Sequence, residues 1–352
     1  MKVLHLPTSV GGNSWGLSQG EKKLGLDSEV LLVKQNWLKY NADINLNLEN
    51  KNFIKQIKIL YETFQTIKDK YDVFHFNYGS SLLDFQKLGL PLLELPYYED
   101  SKKIIFTYNG SDSRGVHPLE YWDTLENPKT SLYQKIAIEI KKKKIEKVDK
   151  YANHIFALNP DLFNYLPKKT TFLPYTIANW DDISEIKKRE VKKLKIVHSP
   201  TSRDFKGSVY ILEALDSLQK KYQHLEVDII ENVSHVKAIE LYKEADLVID
   251  QVLIGWYGAF GVEVMKMGKP LAVFIREEDL KFIPIDMARD LKETVINISP
   301  FDIVERLSFY IENPKLLEYK AKAGLEYSNK WHNPKYVAGI VKNVYEMPNK
   351  KI

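Results

Sequence analysis

In the run from Asp246 to Phe274, DLVIDQVLIGWYGAFGVEVMKMGKPLAVF, an apolar strand at Leu247 to Val252 feeds a turn that holds Gly255, Gly258 and Gly261. The pattern predicts a helix from about Phe260 to Gly268, followed by Pro270 and a second apolar strand. Glycines let the backbone approach a ligand closely, and the first-turn N–H groups of a helix are unpaired and carry partial positive charge. Gly258, Ala259, Phe260 and Gly261 therefore form a corner suited to a diphosphate. One turn inside the helix, Glu263 could accept hydrogen bonds from ribose hydroxyls; it reads equally as an acidic partner of the helix dipole.

A second cluster lies upstream. HSPTSRDFKGSVYILEAL, from His198 to Leu215, puts Arg203 and Lys206 in the loop after a predicted strand. Two cations beside a helix N-terminus would neutralise a leaving diphosphate as its charge develops. The alternative is an exposed loop with ordinary surface charges. After the strand ending VDII, the loop Glu231 to His235 could hold a nucleobase through backbone groups around Val233, with His235 reading as a surface residue at a helix start.

The first half of the chain supplies its own polar groups at strand ends. Gly11 and Gly12 open a loop after the first strand, either as a tight turn or as a phosphate approach, without a GxGxxG pattern. IIFTYNGSDSRG ends a buried strand in Asn109, Ser111, Asp112 and Arg114. Asn109 can donate and accept hydrogen bonds to sugar hydroxyls but cannot act as a general base near neutral pH. Asp112 and Arg114 read as acceptor contacts or as a structural pair. His75, two residues before Asn77 on one strand face, is either a buried histidine or an acceptor ligand facing a cleft, and His117 is similarly open.

The elements that must position these groups alternate. Apolar strands are expected at Lys2 to Leu6, Ser28 to Val33, Val73 to Phe76, Ile104 to Tyr108, His154 to Ala157 and Thr171 to Pro174. A polar stretch, IANWDDISEIKKREVKK, reads as a linker, and strands resume at Lys195 to His198, Glu226 to Ile230, Leu247 to Val252, Pro270 to Phe274 and Thr294 to Ile298. Helical patterns between them predict α/β architecture: two Rossmann-like domains, 1–178 and 192–333, with parallel sheets facing across a cleft.

Composition narrows the classes. With 352 residues the chain has room for two cores, and its net charge of +4 is too slight to argue for nucleic acid. The absence of cysteine excludes disulfides and thiolate chemistry and suits the cytoplasm. No apolar run approaches the ~18–20 residues that span a bilayer. Lys141 to Lys144, Lys147 and Lys150 nevertheless share a helical pattern with Ile136, Ile140, Ile145 and Val148, which is either a solvated face or a site of peripheral contact with anionic lipid at the inner face of the membrane. No HExxH or DxD pattern calls for a metal.

The segment around Glu263 resembles the donor signature of glycosyltransferase family 4, in which two glutamates separated by seven residues precede a small-residue helix and a GxP turn. Glu263 matches the second glutamate and Met267 to Pro270 the closing turn, whereas Gly255 stands where the first should be and Asp250 is the nearest other acid. The resemblance implies the GT-B architecture, with a C-terminal helix at about 334–352 returning to the first domain. It also implies that Arg203 and the Lys206–Gly207 pair reach the donor diphosphate, that the Gly11–Gly12 loop approaches the same phosphates, and that Asn109 stands at the usual histidine. The activity it implies is that of a retaining, metal-independent glycosyltransferase, which needs no cofactor beyond a UDP- or GDP-linked sugar and acts on a glycan or lipid-linked acceptor. A non-hydrolysing sugar-nucleotide epimerase and a non-catalytic sugar-nucleotide sensor or partner subunit are the alternatives.

Overall fold

The computed structural model describes residues 1–35, 39–115, 122, 124–125, 132–185 and 193–349, so His117 lies outside the described residues. The chain divides into two compact units. Unit 1 comprises Met1–Val116, Pro128–Ala178 and Asn333–Ile352, and unit 2 comprises His117–Asn127 and Asn179–His332.

Unit 1 is built on a seven-stranded sheet. Its strands are β1 (Lys2–Leu6), β2 (Asp27–Leu32), β3 (Ile44–Asn45), β4 (Val73–Asn77), β5 (Lys103–Tyr108), β6 (His154–Ala157) and β7 (Thr170–Phe172), with α1 (Asn13–Lys23), α2 (Phe53–Ile67) and α3 (Leu132–Tyr151) between them. All its strand pairings are parallel, in the order β3-β2-β1-β4-β5-β6-β7. Helices cover both faces, so the central strands β4 and β5 are buried at every position rather than alternating. β3 has only two residues, too few for a periodic pattern, and sequence reading does not find it.

Unit 2 has a five-stranded parallel sheet of order β12-β11-β10-β8-β9. The strands are β8 (Leu194–His198), β9 (Leu225–Ile229), β10 (Leu247–Ile249), β11 (Leu271–Val273) and β12 (Ile296–Asn297). The helices are α4 (Arg203–Lys206), α5 (Ser208–Lys221), α6 (His235–Lys243), α7 (Gly258–Lys266), α8 (Ile285–Thr294), α9 (Ile303–Glu312) and α10 (Pro314–Trp331). The last helix, α11 (Pro334–Glu346), belongs to unit 1 and packs on α1. In the expected linker, Trp180 and Ile183 are buried in unit 2, and Lys266 lies 4.3 Å from the Trp180 ring centroid.

Chain direction across each sheet reverses once, between β1 and β4 in unit 1 and between β8 and β10 in unit 2. The loops leaving such neighbouring strands diverge to opposite faces and open a crevice at the carboxyl ends, the usual ligand position in open α/β sheets. Among the described residues no helix is long and apolar enough to cross a membrane.

Candidate functional site

At the unit 2 switch point, β8 leads into α4 and β10 leads into the glycine turn. Lys206, the last residue of α4, forms an ion pair through its ammonium with Asp250 Oδ1, and its Nζ lies 5.6 Å from the centroid of the Phe260 ring in the first turn of α7. Asp250 is 1% exposed, and its Oδ2 has no partner. Burial pushes the Asp250 carboxyl above the ordinary range while the adjacent Lys206 charge pulls it back. The approach of α4 to this turn depends on Gly207: its φ is +69°, and a Cβ there would lie 2.6 Å from Val252 Cγ2 and 2.9 Å from Leu253 Cγ.

Buried polar contacts fix the floor of the site. His198 at the end of β8 donates from Nδ1 to the Ile249 carbonyl at 3.0 Å and accepts at Nε2 from the Ser208 hydroxyl at 2.8 Å. Burial lowers its pKa to about 4, so the ring is neutral at pH 7 and the tautomer follows from the partners. Ser199 and Tyr242 share a 2.8 Å hydrogen bond, and the Tyr242 ring meets Phe260 edge-on at 5.1 Å.

Glu263 is 4% exposed, and its Oε1 accepts from His235 Nε2 at 2.7 Å. Burial works to lower the His235 pKa, but the Glu263 hydrogen bond and charge outweigh it and the net direction is upward. His235, read from sequence as a surface residue at a helix start, thus pairs with the carboxylate singled out for a ribose. The contact spans 28 positions and leaves no local signal. Val233 is half-buried in the loop between β9 and α6. Arg203 does not join Lys206; its guanidinium makes a two-pronged contact with Glu231 at 2.8 and 2.5 Å on the surface.

The glycine turn divides in function. Gly258, Ala259 and Phe260 are half-buried at the start of α7. Gly261 is buried instead, and a Cβ there would meet Tyr257 Cβ at 2.6 Å and Leu271 Cδ2 at 3.0 Å, so it serves packing of the helix on β11. Gly255 has φ +88°, and a Cβ would lie 2.8 Å from Arg276 Cβ. A glutamate therefore has no room at 255 in this backbone. Asp250 cannot stand in for it, because its side chain is buried against Lys206.

In unit 1 the expected residues are dispersed among structural duties. Gly11 and Gly12 adopt left-handed backbone in the short turn between β1 and α1. Asn109, 8% exposed, follows β5 with Oδ1 unpaired, and its carbonyl accepts from Asn159 and Tyr175. Asp112 accepts from the backbone N–H groups of Asn109 at 3.0 Å and Gly110 at 2.6 Å. Arg114 makes a buried two-pronged pair with Asp161 at 2.6 and 3.1 Å. Asp112 thus holds its own loop, whereas Arg114 ties that loop to Asp161 in the segment after β6.

His75 is 0% exposed, with both ring nitrogens at 2.6 Å from partners, Nδ1 with Tyr345 of α11 and Nε2 with Thr107 of β5. That placement removes it from an acceptor surface. Its neighbours form a chain: Tyr345 donates to Glu21 Oε1 at 2.8 Å, and Glu21 Oε2 meets His5 Nε2 at 2.9 Å and accepts from Ser28 at 2.6 Å. His5, Glu21 and His75 form a buried group within metal-ligand distances, yet the Glu21 carboxylate already accepts hydrogen bonds at both oxygens.

The lysine helix is likewise engaged. Ile145 and Val148 enter the unit 1 core, whereas Ile136 and Ile140 remain exposed. Lys144 pairs with Asp84 at 2.8 Å, Lys147 donates to the Pro91 carbonyl at 2.8 Å and Lys141 donates to the Arg114 carbonyl at 3.0 Å. Half of the stripe and half of the cations expected at a lipid surface are thus used within unit 1.

No family model and no curated protein matches the sequence. Among solved structures, the chain is similar to a sucrose-phosphate synthase from Thermosynechococcus elongatus at 14% identity and TM-score 0.60, with 98% of each chain covered. It is similar to a protein from Listeria monocytogenes described as a UDP-N-acetylglucosamine 2-epimerase, at 12% identity and TM-score 0.55, covering 100% of this chain and 98% of that one. A mutant of S. aureus TarM in complex with Fondaparinux, alpha-GlcNAc-glycerol and UDP matches at 12% identity and TM-score 0.57, over 82% of this chain and 58% of that one. The likeness is one of fold: the chain has the GT-B fold, with two Rossmann-like domains.

Proposed function

We propose that the chain is a retaining, metal-independent glycosyltransferase of the family 4 kind, using a UDP- or GDP-linked sugar and a glycan or lipid-linked acceptor. The observation that carries this reading is the corner in unit 2, where Lys206, held by the buried Asp250, lies over the first turn of α7. A diphosphate at that turn meets a fixed ammonium and unpaired backbone N–H groups. Glu263, steadied by His235, receives the ribose hydroxyls, and the loop at Val233 receives the base. Arg203 reaches the phosphates by exchanging its exposed contact with Glu231.

In the transfer step the acceptor oxygen bonds to the anomeric carbon as the bond from that carbon to the diphosphate oxygen breaks. The electron pair leaves with the diphosphate, whose growing charge Lys206 and the α7 N–H groups stabilise. The acceptor proton passes to the leaving phosphate, because Asn109 cannot take it. Asp250, buried and engaged by Lys206, acts as a positioning residue rather than a nucleophile.

The decisive experiment combines calorimetry with UDP, GDP, dTDP and ADP and product analysis of the matching sugar nucleotides with and without an acceptor. Nucleotide release tied to a new glycoside supports the transferase. Exchange at the sugar C2 without nucleotide release identifies an epimerase, and saturable binding without any turnover identifies a sensor; either result overturns the reading.

A further inference from the structure

Unit 2 carries a groove of about 680 Å³ between α5 and α9, and none of the residues placed in the candidate site lines it. The small side chains of Ala214, Ser217 and Ser308 leave a depression between the two helices. Phe301 and Phe309 line it at 61% and 53% exposure, together with Tyr210 and Val304. Large apolar side chains gathered at an open groove and rimmed by charge mark an interaction surface. The charged lining residues are Glu213, Glu305, Glu312 and Lys221. Lys221 pairs with Glu312 at 3.2 Å, whereas Glu213 and Glu305 are exposed and make no ion pair among the described residues. The α5 wall runs eleven residues, from Tyr210 to Lys221, or about 16 Å.

The matching surface is the half of α3 that unit 1 leaves unused. Leu132, Ile136 and Ile140 recur at every fourth position and are exposed, so they form one stripe along the helix. Lys135, Lys142 and Lys143 flank it together with Glu139; all four are exposed and make no ion pair among the described residues. From Leu132 to Lys143 the stripe also runs eleven residues, the length of the groove wall. It offers three lysines against one glutamate, where the groove offers three glutamates against one lysine. An apolar stripe of helical period laid into an apolar two-helix groove is a recurrent mode of recognition, and opposite charges at the rim set partner and register.

We propose that the groove between α5 and α9 receives α3 of a second copy of this chain, with Ile136 and Ile140 on its apolar floor and Lys142 and Lys143 against Glu213 and Glu305. Each copy carries both halves of the contact, so association closes as a reciprocal dimer or continues as a chain of copies. A surface of a few helical turns is small for a stable interface, which sets a dissociation constant on the order of micromolar. The contact uses no residue of the proposed donor site and stands apart from the transferase reading.

Sedimentation velocity of the full chain from about 1 to about 200 µM should show self-association at low salt that weakens about tenfold or more between about 50 and 500 mM salt. Lys142→Glu with Lys143→Glu, and separately Glu213→Lys with Glu305→Lys, put like charges across the contact, and each pair should weaken association at least about tenfold. All four positions are exposed, and melting curves equal to wild type verify the fold. Mixed in equal amounts, the two variants should associate again, because the acidic α3 of one meets the basic groove of the other and the unaltered halves remain complementary. Monomer at every concentration, association indifferent to salt or to either pair of substitutions, or a mixture that stays monomeric overturns the proposal. Binding of monomeric protein to phosphatidylglycerol vesicles, lost in Lys142→Glu with Lys143→Glu, assigns the stripe to lipid and overturns it equally.

Discussion

Removing the Lys206 ammonium tests stability and catalysis at once, because the same charge neutralises Asp250 and faces the proposed diphosphate. In Lys206→Ala the Asp250 carboxylate, 1% exposed and already lacking a partner at Oδ2, loses its donor at Oδ1 as well. Breaking a buried pair in this way costs about 3–5 kcal/mol. At roughly 2–4 °C per kcal/mol for a domain of this size, melting of unit 2 should fall by roughly 6–20 °C at neutral pH. The loss depends on pH in a defined direction. Burial holds the folded Asp250 pKa above the ordinary carboxylate value of 3.8, and removing Lys206 raises it further. A raised folded pKa means that the native state binds the proton more tightly, so stability is present at low pH and is lost as pH rises through the folded value. The gap between wild type and variant should therefore close toward about pH 4 and open toward neutrality. Scanning calorimetry across that range measures it. Lys206→Met combined with Asp250→Leu replaces the pair with apolar groups and should regain most of the lost stability, to within about 1 kcal/mol. Transfer by the double variant should stay down by about 10²–10³, the usual cost of one charge-stabilising donor. Wild-type rates in the double variant, or an unchanged melting point at pH 7 in the single one, would refute the reasoning.

His235→Gln should flatten the fall in thermal stability as pH rises past about 6.5, because the raised His235 pKa stabilises the fold below that value and the benefit is lost through the folded pKa; parallel curves for the two proteins would disprove the ion pair. Glu263→Ala should weaken nucleotide binding by at least about tenfold if the carboxylate holds ribose hydroxyls, and unchanged affinity by calorimetry would return it to a partner of His235. Tyr345→Phe strips the hydroxyl between His75 and Glu21 and should cost about 1–3 kcal/mol in denaturant unfolding, with no effect expected if the network is dispensable. Activity should survive EDTA, and loss restored by Mg²⁺ or Mn²⁺ would contradict the metal-independent mechanism.

Sequence alone carries the strands other than β3, because a buried strand must present apolar residues whatever its neighbours are; β1 and β6 are read to the residue. It also carries the glycine turn before α7, since left-handed backbone at positions such as 255 and 258 calls for glycine locally. Strand order lies beyond it, and strand order decides the site. Lys206 and Asp250 stand 44 positions apart and meet only because β8 lies beside β10. Asp84 and Lys144 are 60 apart, and His75 and Tyr345 are 270 apart, so no periodicity links either pair. The lysine helix illustrates the same limit: spacing reveals an amphipathic stripe, but only the packed unit turns Lys144 toward Asp84 rather than toward solvent or lipid. Local pattern records what each segment must bury, whereas a site is made by side chains from segments that long loops bring together, and the choice among possible partners belongs to the tertiary structure.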